Sequence, residues 1–353
     1  MRSISLRRRQ RGSDRMFRVL YPIAWTEATR CARRLPELPR ARLIVAARWL
    51  VTILALWLVL RSIHIGTVLD LIARAGLTGL GLAGLVTAVQ FALLVWRWQL
   101  IIRMLGGEAV SAGALSVFLG HSLLIGQVLP SSVGGDMARS VMLARLTGAS
   151  AAIRSVVCDR LLGFAGLALL AFPTFPIIAG RLGDLAPFLT LTIAASGTIA
   201  ALALIAAAPS IIHAVPSLGR FLGTVAGDLR LALCSGKVSL VAVALSAGSH
   251  LLSVLLIYIF GLAISANLRL LDCVVLVPPA LLALVLPISL AGWGVREGAL
   301  VAAFSLVHAD PAAVAATSVM LGLTTPLAGV AVAATSLFIG INNVPTGGSR
   351  DGG

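Results

Sequence analysis

Charge is what this sequence has least of. Only 12% of its 353 residues are charged, 13 of them acidic, while 59% are hydrophobic and the mean hydropathy is +1.01. A soluble domain needs a polar shell around its core, and this composition cannot provide one. The class is a polytopic integral membrane protein. Cysteine is scarce as well: Cys31, Cys158, Cys234 and Cys273 show no CxxC spacing, so metal and redox chemistry are not expected, and buried apolar thiols are the default. The chain also lacks a Gx4GK[ST] phosphate loop, an HExxH helix, a DxD-like pair in a cytoplasmic loop and a Cys/His pair at useful spacing. No catalytic residues, metal or cofactor are expected. Once the apolar segments are set aside no soluble domain remains, so any chemistry would take place at the membrane.

Acid is scarcest where base is richest. Twelve of the 28 basic residues lie between Arg2 and Arg42, against only Asp14, Glu27 and Glu37. In a soluble protein the net charge of +15 would suggest nucleic acid. Next to a first membrane span it marks a cytoplasmic tail drawn to anionic headgroups, so no nucleic-acid partner is expected. Residues 1–42 are too long and too charged for a signal-peptide n-region, and no A-x-A-like site follows.

A span needs about 20 apolar residues. Spans are expected at Leu43–Leu60, which includes Arg48, and at Gly76–Trp96, Ser155–Ile178, Leu185–Ala208, Val238–Ser265 and Pro311–Ile341. Two further apolar stretches, Ser111–Leu129 and Leu271–Leu286, run into two copies of one motif, LPSSVGGDMAR at Leu129–Arg139 and LPISLAGWGVR at Leu286–Arg296. Glu297–Val307 is too short to cross alone. The fold class expected is all-α: six full transmembrane helices plus two inverted re-entrant hairpins, with one interfacial helix near Phe221–Leu233. The domains are a basic tail (1–42), a transmembrane domain (43–341, with halves 43–208 and 238–341 and linker 209–237) and a disordered Gly-rich tail (342–353). An eight-span arrangement, with each motif a loop between crossing helices, is the alternative. In the six-span arrangement both termini are cytoplasmic and Arg97, Arg103, Arg139, Arg145, Arg154, Arg220, Arg230 and Lys237 lie toward that face, as the positive-inside rule requires. The hairpins then enter from opposite sides, the sequence pointer to an alternating-access site.

The motifs place costly residues in apolar surroundings. A charge at the bilayer centre costs about 2.5–3.5 kcal/mol on insertion scales unless it finds a partner or water. Asp136, Arg139, Asp159, Arg160, Arg296 and Glu297 are the candidates for substrate binding, with Ser132 and Ser289 as donors or helix caps. Pro130, Gly134, Gly135, Pro287, Gly292 and Gly294 are the candidate helix breaks and hinges. Neighbours on a helix point about 100° apart, so Asp159/Arg160 and Arg296/Glu297 are expected to pair with other elements, for example Arg139 with Glu297 or Arg296 with Asp159. Two readings stand side by side: these charges lock helices together, or the arginines grip an anionic headgroup. Each helix that restarts after a break would turn its positive end toward the ligand. His121 and Gln127 read as interhelical hydrogen bonds or headgroup contacts, and Ser246, Ser249, Ser253 and His250 as packing glue. Arg97, Trp98 and Arg103 read as a cytoplasmic aromatic–basic anchor.

Four stretches, RWQLIIRMLG, GQVLPSSVGGDMARSVMLAR, SVVCDRLLGFAGL and LPISLAGWGVREGALV, resemble the lysylphosphatidylglycerol synthase transmembrane-region family, a flippase-like domain of bacterial and archaeal membrane proteins. The resemblance runs from about Ala47 to Gly340. It implies a polar core at Asp136, Arg139, Asp159, Arg160, Arg296 and Glu297, where Asp136 stands at a position often occupied by Glu. It also implies a non-enzymatic translocator in the bacterial inner membrane. The substrate would be an anionic or lipid-linked headgroup: an aminoacyl-phospholipid, a glycolipid or a polyprenyl-linked saccharide. Membrane lipids would be its partners, with a second copy of the chain or a lipid-synthesis enzyme beside it. A membrane subunit of a lipid glycosyltransferase or hopanoid pathway, and a small-solute secondary transporter, are the alternatives.

Overall fold

The computed structural model describes residues 65–107, 110–128, 134–174, 176–178, 223–225, 227–231, 236–285, 289 and 291–338. The expected spans Leu43–Leu60 and Leu185–Ala208, both tails, most of the linker, and Arg48, Pro130, Ser131, Ser132 and Pro287 lie outside the described residues. The described regular structure is helical: α1 (Ile65–Ala73), α2 (Leu77–Met104), α3 (Ala112–Val128), α4 (Gly134–Thr147), α5 (Ala149–Ala171), α6 (Lys237–Ala263), α7 (Leu270–Leu282), α8 (Val295–Phe304) and α9 (Pro311–Phe338).

Four helical stretches are long and apolar enough to cross a membrane: Leu77–Met104, Ala149–Ile178, Lys237–Ala263 and Pro311–Ser336. These match four expected spans, with α2 continuing beyond Trp96 to Met104. At 28 residues α2 is about 42 Å long, more than a hydrocarbon core of about 30 Å requires. By contrast α3 (17 residues), α4 (14), α7 (13) and α8 (10) each fall short of that thickness. They pack as two pairs, α3 on α4 and α7 on α8, each joined through one copy of the motif.

Glycine and proline punctuate the helices. Gly148, at φ +83°, separates α4 from α5, and Gly236, at φ +67°, precedes α6. Pro311 opens α9, where its missing N–H costs nothing, and the Asp310 carboxylate accepts the N–H groups of Ala312 and Ala313. Inside α9, Pro326 removes the donor that would otherwise reach the carbonyl of Gly322.

α6 is the central post, packed on α2, α5, α7 and α9. It runs antiparallel to α2: Gly79 lies against Ala263, Gln90 Nε2 donates to Ser253 Oγ at 2.8 Å, and Arg97 Nη1 donates to Ser246 Oγ at 3.2 Å. Gly166 of α5 sits so close to Ser246 and Ala247 that a Cβ there would collide, the close backbone approach on which membrane helices rely. α9 touches both broken pairs. Its first half meets α8 at Ser318 and Gly322, and its second half meets α3, with Gly329 on Leu124 and Val332 on Gly120. The pairs are therefore displaced from one another along α9. Leucines such as Leu85, Leu240, Leu271 and Leu327 remain exposed on the outer faces, as lipid contact requires.

In the linker, residues 223–225 and 227–231 are helical with Val225 and Leu229 buried, and Asp228 accepts from Arg154 Nη1 at 2.7 Å. Of the apolar positions expected to face the membrane in this stretch, Val225 and Leu229 are therefore turned to protein.

Candidate functional site

The first motif copy enters α4 directly. Gly134 and Gly135 form its first residues, and a Cβ on Gly135 would run into the carbonyl of Ser122, so this glycine lets α4 lie on α3. Asp136 occupies the first turn and Arg139 follows three residues later, close enough for Arg139 Nη2 to reach Asp136 Oδ1 at 2.9 Å. α5 supplies Asp159 and Arg160, and α2 supplies Arg97. Asp159 is shared: Oδ1 accepts from Arg97 Nε at 2.8 Å, and Oδ2 from Arg139 Nη1 at 2.9 Å. Asp136 is shared too, accepting at Oδ2 from Arg160 Nε at 2.6 Å and at Oδ1 from Arg160 Nη2 at 3.1 Å. The Arg139 guanidinium lies 5.0 Å from the ring centroid of Trp98, whose Nε1 donates to Ser155 Oγ.

The second copy makes a turn before its helix. Ala291, Gly292 and Gly294 all have positive φ, at +48°, +81° and +81°, and α8 begins only at Val295. Glu297 closes the helix start on itself, with Oε2 accepting the N–H of Gly294 at 2.6 Å. Its Oε1 accepts from Arg296 Nη2 at 2.7 Å and from Ser318 Oγ at 3.2 Å. Arg296 lies over the Trp293 ring, 4.7 Å from the centroid, and against Gly322, where a Cβ would displace it.

The two copies face one cavity of about 390 Å³. Arg97, Asp136, Arg139, Asp159 and Arg160 line one side, and Ala291, Gly292, Trp293 and Arg296 line another, with Gln127, Ser249, His250 and Thr325 between them. Four arginines stand against Asp136 and Asp159 in the lining and the Glu297 that pairs with Arg296 behind it, which leaves one positive charge in excess. A guanidinium keeps its charge when buried and presents paired donors to carboxylate or phosphate, so the cavity suits an anion.

Several expectations are corrected by this geometry. No cross-copy ion pair occurs among the described residues: Arg139 bonds Asp136 and Asp159, and Arg296 bonds its own neighbour Glu297. Adjacency does not prevent that pairing, because both side chains are long and Ser318 draws them to one point. The helix end after the second break is not open to a ligand, since Glu297 occupies it, and Ser289 is buried without capping α8. Asp159 and Arg160 do pair with other elements, as expected. Gln127 accepts from Trp293 Nε1 at 3.3 Å, an interhelical bond. His121 Nδ1 contacts only the Val117 carbonyl of its own helix among the described residues. The serines of α6 serve as glue, Ser246 with Arg97 and Ser253 with Gln90, while His250 Nε2 meets the Gly163 carbonyl at 3.0 Å.

Arg97 and Trp98 are the residues sequence reasoning missed. Instead of anchoring α2 at the surface they are buried, at 6% and 0% exposure, and bonded to α5. The signal was the apolar run that continues past them in WRWQLIIRML: a terminal anchor does not need Ile101 and Ile102 on the buried face beyond it.

Helices that cross, two short helix pairs broken at a repeated motif, and a shared arginine-lined cavity define a multi-pass α-helical membrane protein with an internal polar site. The family model for the lysylphosphatidylglycerol synthase TM region matches residues 6–333, and the chain belongs to that family. Neither the curated proteins nor the solved structures contain a match.

Proposed function

We propose that the chain is a translocator that carries the anionic headgroup of a lipid or lipid-linked sugar through this cavity while the acyl chains stay in the bilayer, with no catalytic step of its own. The observation carrying the reading is the single cavity lined by both motif copies with arginine in excess. The short helices of the two pairs, and their displacement along α9, support re-entrant hairpins entering from opposite faces. Irregular backbone at that depth is tolerated because it lines a polar cavity. The basic N-terminal stretch supports cytoplasmic termini in a bacterial inner membrane. Membrane lipids are the partners, with a second copy or a lipid-synthesis enzyme alongside. Aminoacyl-phospholipids and polyprenyl-phosphate-linked saccharides carry the phosphate such a site would grip, and a glycolipid would qualify where its headgroup bears an anionic group.

The test is reconstitution into liposomes with labelled phospholipid or polyprenyl-phosphate lipids and a leaflet-accessibility assay. Arg296→Ala is expected to slow movement by about 10- to 100-fold, the loss of one charged hydrogen-bonding group. Unchanged movement in a folded variant would sink the proposal.

A further inference from the structure

The arginines of the cavity are not equivalent. Arg97 and Arg139 share Asp159 and keep only 7% and 4% side-chain exposure, and Arg296 is held by Glu297 and Ser318 at 10%. Arg160 is 52% exposed, and among the described residues its bonds go to one partner, Asp136. Those bonds use Nε and Nη2 on the two carboxylate oxygens, the side-on fork by which a guanidinium also holds two oxygens of a phosphate.

Asp136 does not depend on Arg160. Arg139 reaches it through Nε at 3.0 Å and Nη2 at 2.9 Å, so Asp136 stays paired if Arg160 leaves. Arg139 bridges both carboxylates at once with only 4% of its side chain exposed, so moving it would pull a buried guanidinium off two partners. Arg160 is thus the half-exposed guanidinium that can change partner while Asp136 keeps another. We infer that Asp136 is a resident counter-ion occupying the phosphate-gripping face of Arg160, and that a phosphate monoanion binds the cavity by displacing it. Binding is an exchange: the phosphate oxygens take Nε and Nη2 of Arg160, and Asp136 remains on Arg139. This rests on the translocator reading for the source of the phosphate, but the exchange itself concerns any phosphate ester.

The exchange makes an unusual forecast, because Asp136 competes with the ligand. The full chain in dodecyl maltoside micelles, which carry no phosphate, is titrated calorimetrically with dihexanoyl phosphatidylglycerol and, separately, with inorganic phosphate. Arg160→Gln, at a half-exposed position, is expected to weaken binding by about 10- to 100-fold, the loss of a charge-assisted fork. Asp136→Asn is expected to tighten binding, and Asp136→Asn/Arg160→Gln to bind like Arg160→Gln alone. If Asp136→Asn, with a melting temperature showing it folded, weakens binding as Arg160→Gln does, or if Arg160→Gln binds like the unsubstituted chain, the exchange is overturned. Should Asp136→Asn not fold, Arg160→Lys decides: the exchange expects a loss close to that of Arg160→Gln, because a point charge lacks the fork, and full retention overturns it. Preference for phosphatidylglycerol assigns the site to a lipid headgroup, and equal or better binding of inorganic phosphate assigns it to the free ion. Binding of neither ligand by the unsubstituted chain defeats the exchange outright. Binding by exchange without lipid movement in liposomes defeats only the translocator reading.

Discussion

The two motif copies share Leu-Pro-x-Ser-x-x-Gly-x-x-x-Arg, yet the structure uses them differently. In the first, Gly135 is helical and serves close approach; in the second, Gly292 sits at φ +81° and serves a turn. The first helix restarts at Gly134, while the second restarts at Val295, the register position of Ala138. Both arginines nevertheless end on a tryptophan face with a carboxylate at hand, Arg139 with Trp98 and Asp136, Arg296 with Trp293 and Glu297. The tryptophan comes from a separate helix in one case and from the turn itself in the other. What the repeat preserves is a caged guanidinium at a helix break. How the backbone reaches it is free to differ.

The largest effect that would sharpen this contrast is expected at Asp159, which holds two arginines where Glu297 holds one. Asp159→Ala should destabilise the folded protein by about 3–5 kcal/mol, since buried Arg97 loses its carboxylate partner and Arg139 loses one of two. Thermal unfolding in detergent reads this directly, and a melting temperature like that of the unsubstituted chain would show the network to be dispensable. Next come the matched glycines. Gly135→Ala forces a side chain against the Ser122 carbonyl and is expected to cost about 1–3 kcal/mol by overpacking. Gly292→Ala costs about 1–2 kcal/mol for a left-handed backbone. Asparagine separates them, because it tolerates the left-handed region and should rescue position 292 but not 135. Equal behaviour at both positions in an unfolding assay would collapse the contrast.

A smaller effect, about 0.5–2 kcal/mol, is expected between Glu297→Ala and Glu297→Gln, because glutamine still accepts the Gly294 N–H at the helix start. Smallest is Trp293→Phe, about 0.5–1 kcal/mol for a weakened cation–π contact, read as a shift in unfolding midpoint. The proposed entry of the two pairs from opposite faces has its own test. Single cysteines at the exposed positions Ser150 and Ser305, in a background lacking the native cysteines, should be labelled from opposite sides of sealed vesicles. Labelling of both from one side would end the inverted arrangement.

Hydropathy made the four described spans legible because long apolar runs have no other use in a chain this poor in charge. Pro, Gly and Arg recurring at one spacing located the breaks. The arginine partners were harder to read. Arg97 meets Asp159 across 62 residues and Ser246 across 149, and nothing in a local window reveals such distances. Hydropathy also treats an arginine as a helix end, which is why α2 reads eight residues short of Met104. The reverse error arose at Arg296 and Glu297, where helical angles suggested separation and two long side chains closed it. Geometry per residue is legible from sequence; side-chain reach across helices is not.

Pro326 gives α9 a mechanical character. The carbonyl it frees belongs to Gly322, the residue against which Arg296 rests, and Thr325 beside it lines the cavity. Pro326→Ala, which restores that bond, should raise the melting temperature and slow lipid movement, and unchanged movement would deny the proline a mechanical part. α9 is a rod with its joint at the level of the cavity. On the proposed translocation its two ends could tilt separately, one with α8 and one with α3, so the two broken pairs need not move in one stroke.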